Sequence, residues 1–188
     1  GELNMVYLMD KGANPSLLCV YQKNGILTMH YTPLPLNKST LKGNGTAQDP
    51  YQLTCSNDFK LIDNNPSAYY EVANDIDFLS IPFEGPKRAF TGKLDGKGHT
   101  LNNLCLMGRG LLSEVKDSAY ITNINIKNPI LLMSDKHLEM AAGILANSMQ
   151  GGVDSAGVAS SALLSNIHVA NPVIKANGYK EIVGGIVG

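Results

Sequence analysis

A ten-residue pattern recurs in this chain at long range. Ile121-Thr122-Asn123-Ile124-Asn125-Ile126-Lys127-Asn128-Pro129-Ile130 returns 43 positions later as Leu164-Ser165-Asn166-Ile167-His168-Val169-Ala170-Asn171-Pro172-Val173, with the aliphatic, Asn123, Asn128 and Pro129 positions all in place. A shorter copy, Leu101-Asn102-Asn103-Leu104-Cys105-Leu106, precedes both and aligns with the first at a shift of 20. A second motif, Ala142-Gly143-Ile144-Leu145-Ala146, recurs 42 positions later as Gly184-Gly185-Ile186-Val187-Gly188. Interleaved, the anchors fall at 101, 121, 143, 164 and 185, a step of 20–22 with a two-coil period of 42–43.

Alternation such as Ile124-Asn125-Ile126 is the period of a strand with one buried face. One such unit cannot bury that face alone, whereas stacking the next unit above it closes a continuous core and satisfies the backbone. The repeat therefore predicts parallel β-helix coils from residue 101 onward, and the fold expected for the whole is all-β, a right-handed parallel β-helix (solenoid) over residues 41–188. Leucine-rich repeats share the step but need a denser Leu pattern. Asn103, Asn123 and Asn166 each stand ahead of a buried position; Asn tolerates left-handed backbone and can bond its counterpart in the neighbouring coil. Asn128-Pro129 and Asn171-Pro172 are expected to end a strand and turn the chain.

Residues 1–40 differ. Leu17–Tyr21 and Ile26–Tyr31 flank Gln22-Lys23-Asn24-Gly25, and Asn-Gly between two β-prone runs is a strong hairpin signal. The prolines of Thr32-Pro33-Leu34-Pro35-Leu36 cannot sit in a central strand. This segment reads as a small N-terminal β-hairpin and linker, 1–40, ahead of the domain at 41–188. Within the latter, a short helix is expected at Cys55–Ile62 with Ser56 or Asn57 as N-cap, and a strand at Tyr69–Ala73.

Composition excludes several classes of function. The net charge of −1 gives no global electrostatic case for nucleic acid or an anionic membrane. No apolar run is long enough to span a bilayer. Gly1-Glu2-Leu3-Asn4 lacks the basic and apolar regions of a signal peptide, and Gly185-Ile186-Val187-Gly188 reads as mid-pattern, so the chain is expected to belong to a longer polypeptide that carries its targeting signals elsewhere. Cys19, Cys55 and Cys105 are an odd number without metal-ligand spacing and read as idle or buried thiols, with one disulfide open to an oxidising compartment.

Motifs for catalysis fail on their own chemistry. Asp154-Ser155 lacks the first glycine of G-x-S-x-G, where Val153 stands. His137-Leu138-Glu139 does not make H-E-x-x-H, and the four histidines (30, 99, 137 and 168) are dispersed. Gly43-x-Gly45 lacks the third glycine of a nucleotide loop. Asp75, Asp77 and Asp95 are the clustered carboxylates that could hold Ca²⁺ or serve as acid and base, but alternation places Asp75 and Asp77 together on one face, most simply the solvated one. No catalytic, cofactor-binding or metal residue is assigned. The Gly-rich insert Ser148–Gly157 is expected to project as a loop on one flank.

Gly43-x-Gly45-Thr46 with Asp49-Pro50-Tyr51-x-Leu53, then Tyr70-x-Val72-x-Asn74-Asp75-Ile76-Asp77, then Phe90-x-Gly92-x-Leu94-Asp95-Gly96-x-Gly98-His99-Thr100-Leu101, resembles the entry to GLUG-type β-helix domains. Gly143-Ile144-Leu145-Ala146 and Gly184–Gly188 look like the glycine-rich repeat itself. Such domains occur in bacterial surface and secreted proteins, including adhesin-like proteins and the non-catalytic N-terminal regions of immunoglobulin A1 metallopeptidases. The resemblance covers about residues 43–188 and implies an extracellular or bacterial cell-surface location. It implies a non-catalytic role in adhesion or in binding a host or bacterial surface protein or glycan, or as scaffold for a secreted protease or toxin. The peptidase's zinc motif is missing, so proteolysis does not carry over. A carbohydrate-active β-helix using the three aspartates is the enzymatic alternative. An uncapped end at Gly188 would favour end-to-end self-association.

Overall fold

The computed structural model describes residues 2–11, 14–24, 26–33, 40–133, 141–153, 155–176 and 182–188. The backbone divides into two units, Gly1–Thr40 and Leu41–Gly188. In the first, β1 (Glu2–Lys11), β2 (Asn14–Lys23) and β3 (Ile26–Pro33) form an antiparallel sheet in that order. Asn24 takes a left-handed φ of 51° and brings Lys23 opposite Ile26, the hairpin that Asn24-Gly25 signals; Gly25 lies outside the described residues. The sheet has a third strand, β1, where the sequence predicts a strand pair. Pro33 is tolerated within β3 because that strand is at the sheet edge.

The second unit is built of short strands in chain order: β4 (Tyr51–Leu53), β5 (Tyr69–Val72), β6 (Ile76–Asp77), β7 (Pro82–Phe83), β8 (Lys93–Asp95), β9 (Thr100–Asn102), β10 (Cys105–Met107), β11 (Leu112–Val115), β12 (Tyr120–Lys127), β13 (Ile130–Met133), β14 (Ala141–Ala142), β15 (Ala146–Met149), β16 (Gly152–Val153), β17 (Ala159–Ser160), β18 (Leu163–Ala170), β19 (Val173–Ala176) and β20 (Ile182–Val183). Among the described residues the chain is thus all-β, apart from a 3₁₀ helix at Ser56–Asn64. Pairing is parallel in all of these sheets except the β16–β17 hairpin.

The largest sheet runs β4-β5-β8-β12-β18, with β6 and β9 joining it alongside the second half of β12. A second sheet runs β7-β10-β13-β19, and a third pairs β11 with β15. Each parallel neighbour lies further along the chain, so equivalent side chains stand over one another. Leu53, Val72 and Ile76 point inward, as do Tyr70, Leu94 and Ile121, and all are at most 2% exposed. Burying one such side chain contributes about 1.5–3 kcal/mol. The inward positions lose cover at the last layer: Leu106 and Leu131 are fully buried, whereas Ile174, their partner in β19, is 37% exposed.

The register revises the repeat. Ile121 pairs with Leu164, so the recurrence of the motif is a strand-to-strand register. Its period is one return of the chain to the same sheet, where the sequence reading counts two coils. Leu101 pairs with Ile126 instead of with Ile121, and Ile121 pairs with Leu94. The two pairings are offset by a local bulge: the four residues Gly96–His99 stand opposite only Asn123 and Ile124. Ala146 belongs to a different sheet, in which it faces Leu112, and it pairs with Val187, one position short of the Gly188 that the motif's recurrence brings opposite. The interval between layers is shortest at Tyr51–Tyr70, longer at Cys105–Ile130, longer again at Leu112–Ala146 and longest at Tyr120–Leu163. It grows because residues are added between Met133 and Ala146, and again between Met149 and Leu163.

The helix also departs from expectation. Its N-cap is Cys55, and the Asp58 carboxylate reaches back to accept from the Thr54 and Cys55 N–H groups (2.7 and 3.2 Å) and the Thr54 hydroxyl (2.8 Å). Asp58 is 4% exposed, the one buried charged residue among the described positions, and these three donors replace the water it loses. The helix sets Phe59 and Ile62 into the core, where Phe59 meets Phe78 at 5.8 Å between ring centres.

Candidate functional site

The aspartates singled out from the sequence lie where strands bend. Alternation holds at Asp75-Ile76-Asp77-Phe78: Ile76 and Phe78 are buried, and both aspartates face solvent. Asp77 Oδ1 accepts from the Leu79 N–H (2.8 Å) and from the side-chain amide of Asn103 (2.9 Å). Asn103 Oδ1 in turn accepts from Asn128 (3.4 Å), and Asn128 Oδ1 from Asn171 (3.2 Å). A second ladder starts at Asp95, whose Oδ1 accepts from the Lys97 N–H (2.8 Å) and from Asn123 (3.1 Å); Asn123 Oδ1 accepts from Asn166 at 2.7 Å. Every asparagine in both ladders has a left-handed backbone, with φ between 52° and 56°. Asparagine is among the side-chain-bearing residues least strained by that conformation, and its amide supplies both donor and acceptor to the rungs on either side.

Asn103 therefore stacks with Asn128 and Asn171, not with Asn123 and Asn166 as the shift of 20 predicts. Asp77 and Asp95 are the acceptor ends of amide ladders and belong to different ones. Asp75 is engaged separately: its Oδ1 accepts from the Thr100 N–H (2.9 Å) and lies 3.2 Å from His99 Nδ1.

These contacts favour the ionised carboxylates. The Thr100 N–H, then the His99 ring, hold the Asp75 carboxyl below the ordinary carboxylate range. The Asn103 amide, then the Leu79 N–H, do the same for Asp77. A general acid needs a raised pKa to carry a proton at neutral pH, and these two are shifted the other way. Among the described residues, no three His, Cys, Asp or Glu side chains come together as a metal site requires.

A pH dependence follows. Because the folded pKa of Asp77 is depressed below its ordinary 3.8, its contribution to stability is fully present above that value and is lost as pH falls through the folded pKa. The urea midpoint of Asp77→Asn is therefore expected to fall less than that of the parent as pH is lowered through the carboxylate range, because an uncharged acceptor at this rung does not titrate. Parallel midpoint curves for the two proteins would contradict the assignment.

The remaining candidates are scattered. His168 is exposed, with Nε2 2.8 Å from Asn166 Oδ1. Ser155 is exposed in the turn between β16 and β17; Asp154 and His137-Leu138-Glu139 lie outside the described residues, as do the side chains of His30 and Cys19. Cys55 is free and exposed, and Cys105 is free and buried. Gly43 and Gly45 shape a closed turn in which the Asn44 and Gly45 N–H groups both donate to the Asp49 carbonyl. The Gly-rich insert is a short antiparallel hairpin with Gly152 opposite Ser160, and Val153 is 69% exposed on it.

Sequence reasoning missed Asp58 and the Asp63–Arg88 contact. The first had a signal in Thr54-x-x-x-Asp58, an acid one turn into a helix; the second joins the end of the helix to a loop far along the sequence and had none.

No family model matches the chain. It is 34% identical over 118 residues to Halomucin from Haloquadratum walsbyi (strain DSM 16790 / HBSQ001). The match covers 54% of this chain and 1% of that protein, so the chain spans about a hundredth of the length of the curated relative it matches.

Proposed function

We propose that residues 41–188 form a right-handed parallel β-helix of the GLUG type. In this reading they serve as a non-catalytic interaction module of a cell-surface or secreted protein. The observation that carries it is the commitment of polar corner residues to structure: Asp77 and Asp95 terminate amide ladders, and Asp75 ties two layers together. What remains for a partner is the outward surface of parallel sheets and the hairpin at 152–160, both suited to recognition by a rigid body. Similarity to a stretch of Halomucin, a name of the mucin type, supports the surface placement. Adhesion to a host or bacterial surface protein or glycan is the activity this placement favours.

The small fraction of Halomucin that is matched favours a second reading, in which the chain is one spacer within a much longer polypeptide. Two measurements separate these. The full polypeptide should be labelled on intact cells by a membrane-impermeant reagent, and protection from it would contradict the surface assignment. An array of surface proteins and glycans should capture the purified chain if it is an interaction module. An unbroken blank, with the polypeptide still labelled from outside, would favour the spacer.

No helix among the described residues is long and apolar enough to cross a membrane.

A further inference from the structure

A polar cavity of about 570 Å³ opens between two loops, residues 64–67 and 88–91. Asn64, Asn65, Ser67 and Thr91 supply amides and hydroxyls to its wall, and Arg88 supplies a guanidinium. Both loops are tied down. The Thr91 and Gly92 N–H groups donate to the Pro66 carbonyl (3.0 and 2.9 Å), and the buried Tyr70 hydroxyl donates to the Asn65 carbonyl at 2.8 Å. Asp63 accepts the Lys87 and Arg88 N–H groups on its carboxylate, each at 2.8 Å, and the Arg88 Nη1 on its carbonyl at 2.9 Å.

Arg88 is fixed by one hydrogen bond to a neutral carbonyl, and among the described residues neither Arg88 nor Lys87 has a carboxylate within ion-pair distance. The carboxylate of Asp63 is engaged by backbone N–H groups instead. The remaining N–H groups of the guanidinium are thus held in place with no carboxylate among the described residues to meet them, which is the arrangement that recognises a carboxylate or sulfate.

We infer that this cavity binds an anionic saccharide: Arg88 pairs with its carboxylate or sulfate, and the Asn64, Asn65, Ser67 and Thr91 side chains bond its hydroxyls. The volume suits one or two sugar units. The inference deepens the surface-module reading and rests on it for access to glycans.

The test is isothermal titration calorimetry of the full chain against three probes. These are a tetrasaccharide of alternating glucuronate and N-acetylglucosamine, a sulfated counterpart, and neutral chitotetraose. Binding of the first assigns the carboxylate as the anion, and binding of the sulfated probe alone assigns the sulfate. Equal binding of chitotetraose, or heat from none of the three, overturns the inference, while surface labelling of the polypeptide would be untouched. Arg88→Gln is expected to weaken the acidic probe about tenfold or more, as loss of one charge-assisted pair implies. Lys127→Gln, an exposed cation elsewhere, is expected to leave it unchanged. Equal losses in Arg88→Gln and Lys127→Gln would show diffuse charge attraction and overturn the site.

Discussion

Replacing Ile121 with aspartate is expected to abolish cooperative folding of residues 41–188. Ile121 is fully buried at the centre of an inward column, paired with Leu94 in the layer before it and with Leu164 in the layer after. The substitution removes about 1.5–3 kcal/mol of apolar burial. It also places a carboxylate where the neighbours are aliphatic, at a cost of several kcal/mol more or a shift to the neutral form. Together these are comparable to the roughly 5–15 kcal/mol that stabilises a whole domain. Circular dichroism should show loss of the sheet signal and of a cooperative urea transition. Thr122→Ala, at the next position and facing outward, should fall within about 0.5 kcal/mol of the parent, as a surface change does. Similar behaviour of the two variants would mean that the inward and outward faces of β12 have been misassigned.

The second large effect is expected at Gly92. A Cβ there would stand 2.1 Å from the Ala68 carbonyl oxygen and 2.9 Å from the Ser67 carbonyl carbon, both backbone atoms of the preceding layer. Neither side can yield cheaply: the Gly92 N–H is bonded to the Pro66 carbonyl, and its own carbonyl accepts from the Tyr120 N–H of the layer beyond. Gly92→Val must force the layers apart or break those bonds, with an expected loss of about 3 kcal/mol or more in urea unfolding. Gly98 is the contrast. It has a φ of +78° and open space where its Cβ would be, so Gly98→Asn should cost only the left-handed conformation. That cost is about 1 kcal/mol or less. A larger loss at Gly98 than at Gly92 would show that backbone conformation, and not layer spacing, selects these glycines.

How much of this was legible depended on which residues do the stacking. Ile121–Ile130 and Leu164–Val173 stand in one register, because both strands of the β12–β18 pair are long and the motif carries its own bends at Asn123 and Asn128. The neighbouring layers are not evenly spaced in sequence. Parallel pairing constrains strand residues only, so connecting loops can lengthen without disturbing a layer, and the interval drifts along the chain. A constant step therefore aligns Leu101 with Ile121, when its partner is Ile126. The same assumption puts Asn103 in the wrong ladder, although its left-handed conformation and its bond to a neighbouring layer follow from the residue type.

The carboxylates were legible as solvent-facing, because alternation alone decides that at Asp75 and Asp77. Their engagement by Asn103 and Thr100 was not, since it depends on contacts between successive layers. The cavity beside Arg88 left no trace in the sequence: its walls come from irregular loops whose only common feature is that they stand in adjacent layers.

The central claim is that β12 and β18 are adjacent parallel strands held in the register of the repeated motif. Cysteines placed at Asn125 and His168, which face one another there, test it directly. Directly paired Cα atoms in neighbouring strands are within the range a disulfide spans. In a background with Cys55 replaced by serine, Asn125→Cys with His168→Cys is expected to oxidise in air to a linked pair, identified by peptide mass mapping. Asn125→Cys with Asn147→Cys, the position that a constant short step between coils would bring opposite, should stay reduced. A cross-link in the second pair and none in the first would contradict the register and the layered architecture built on it.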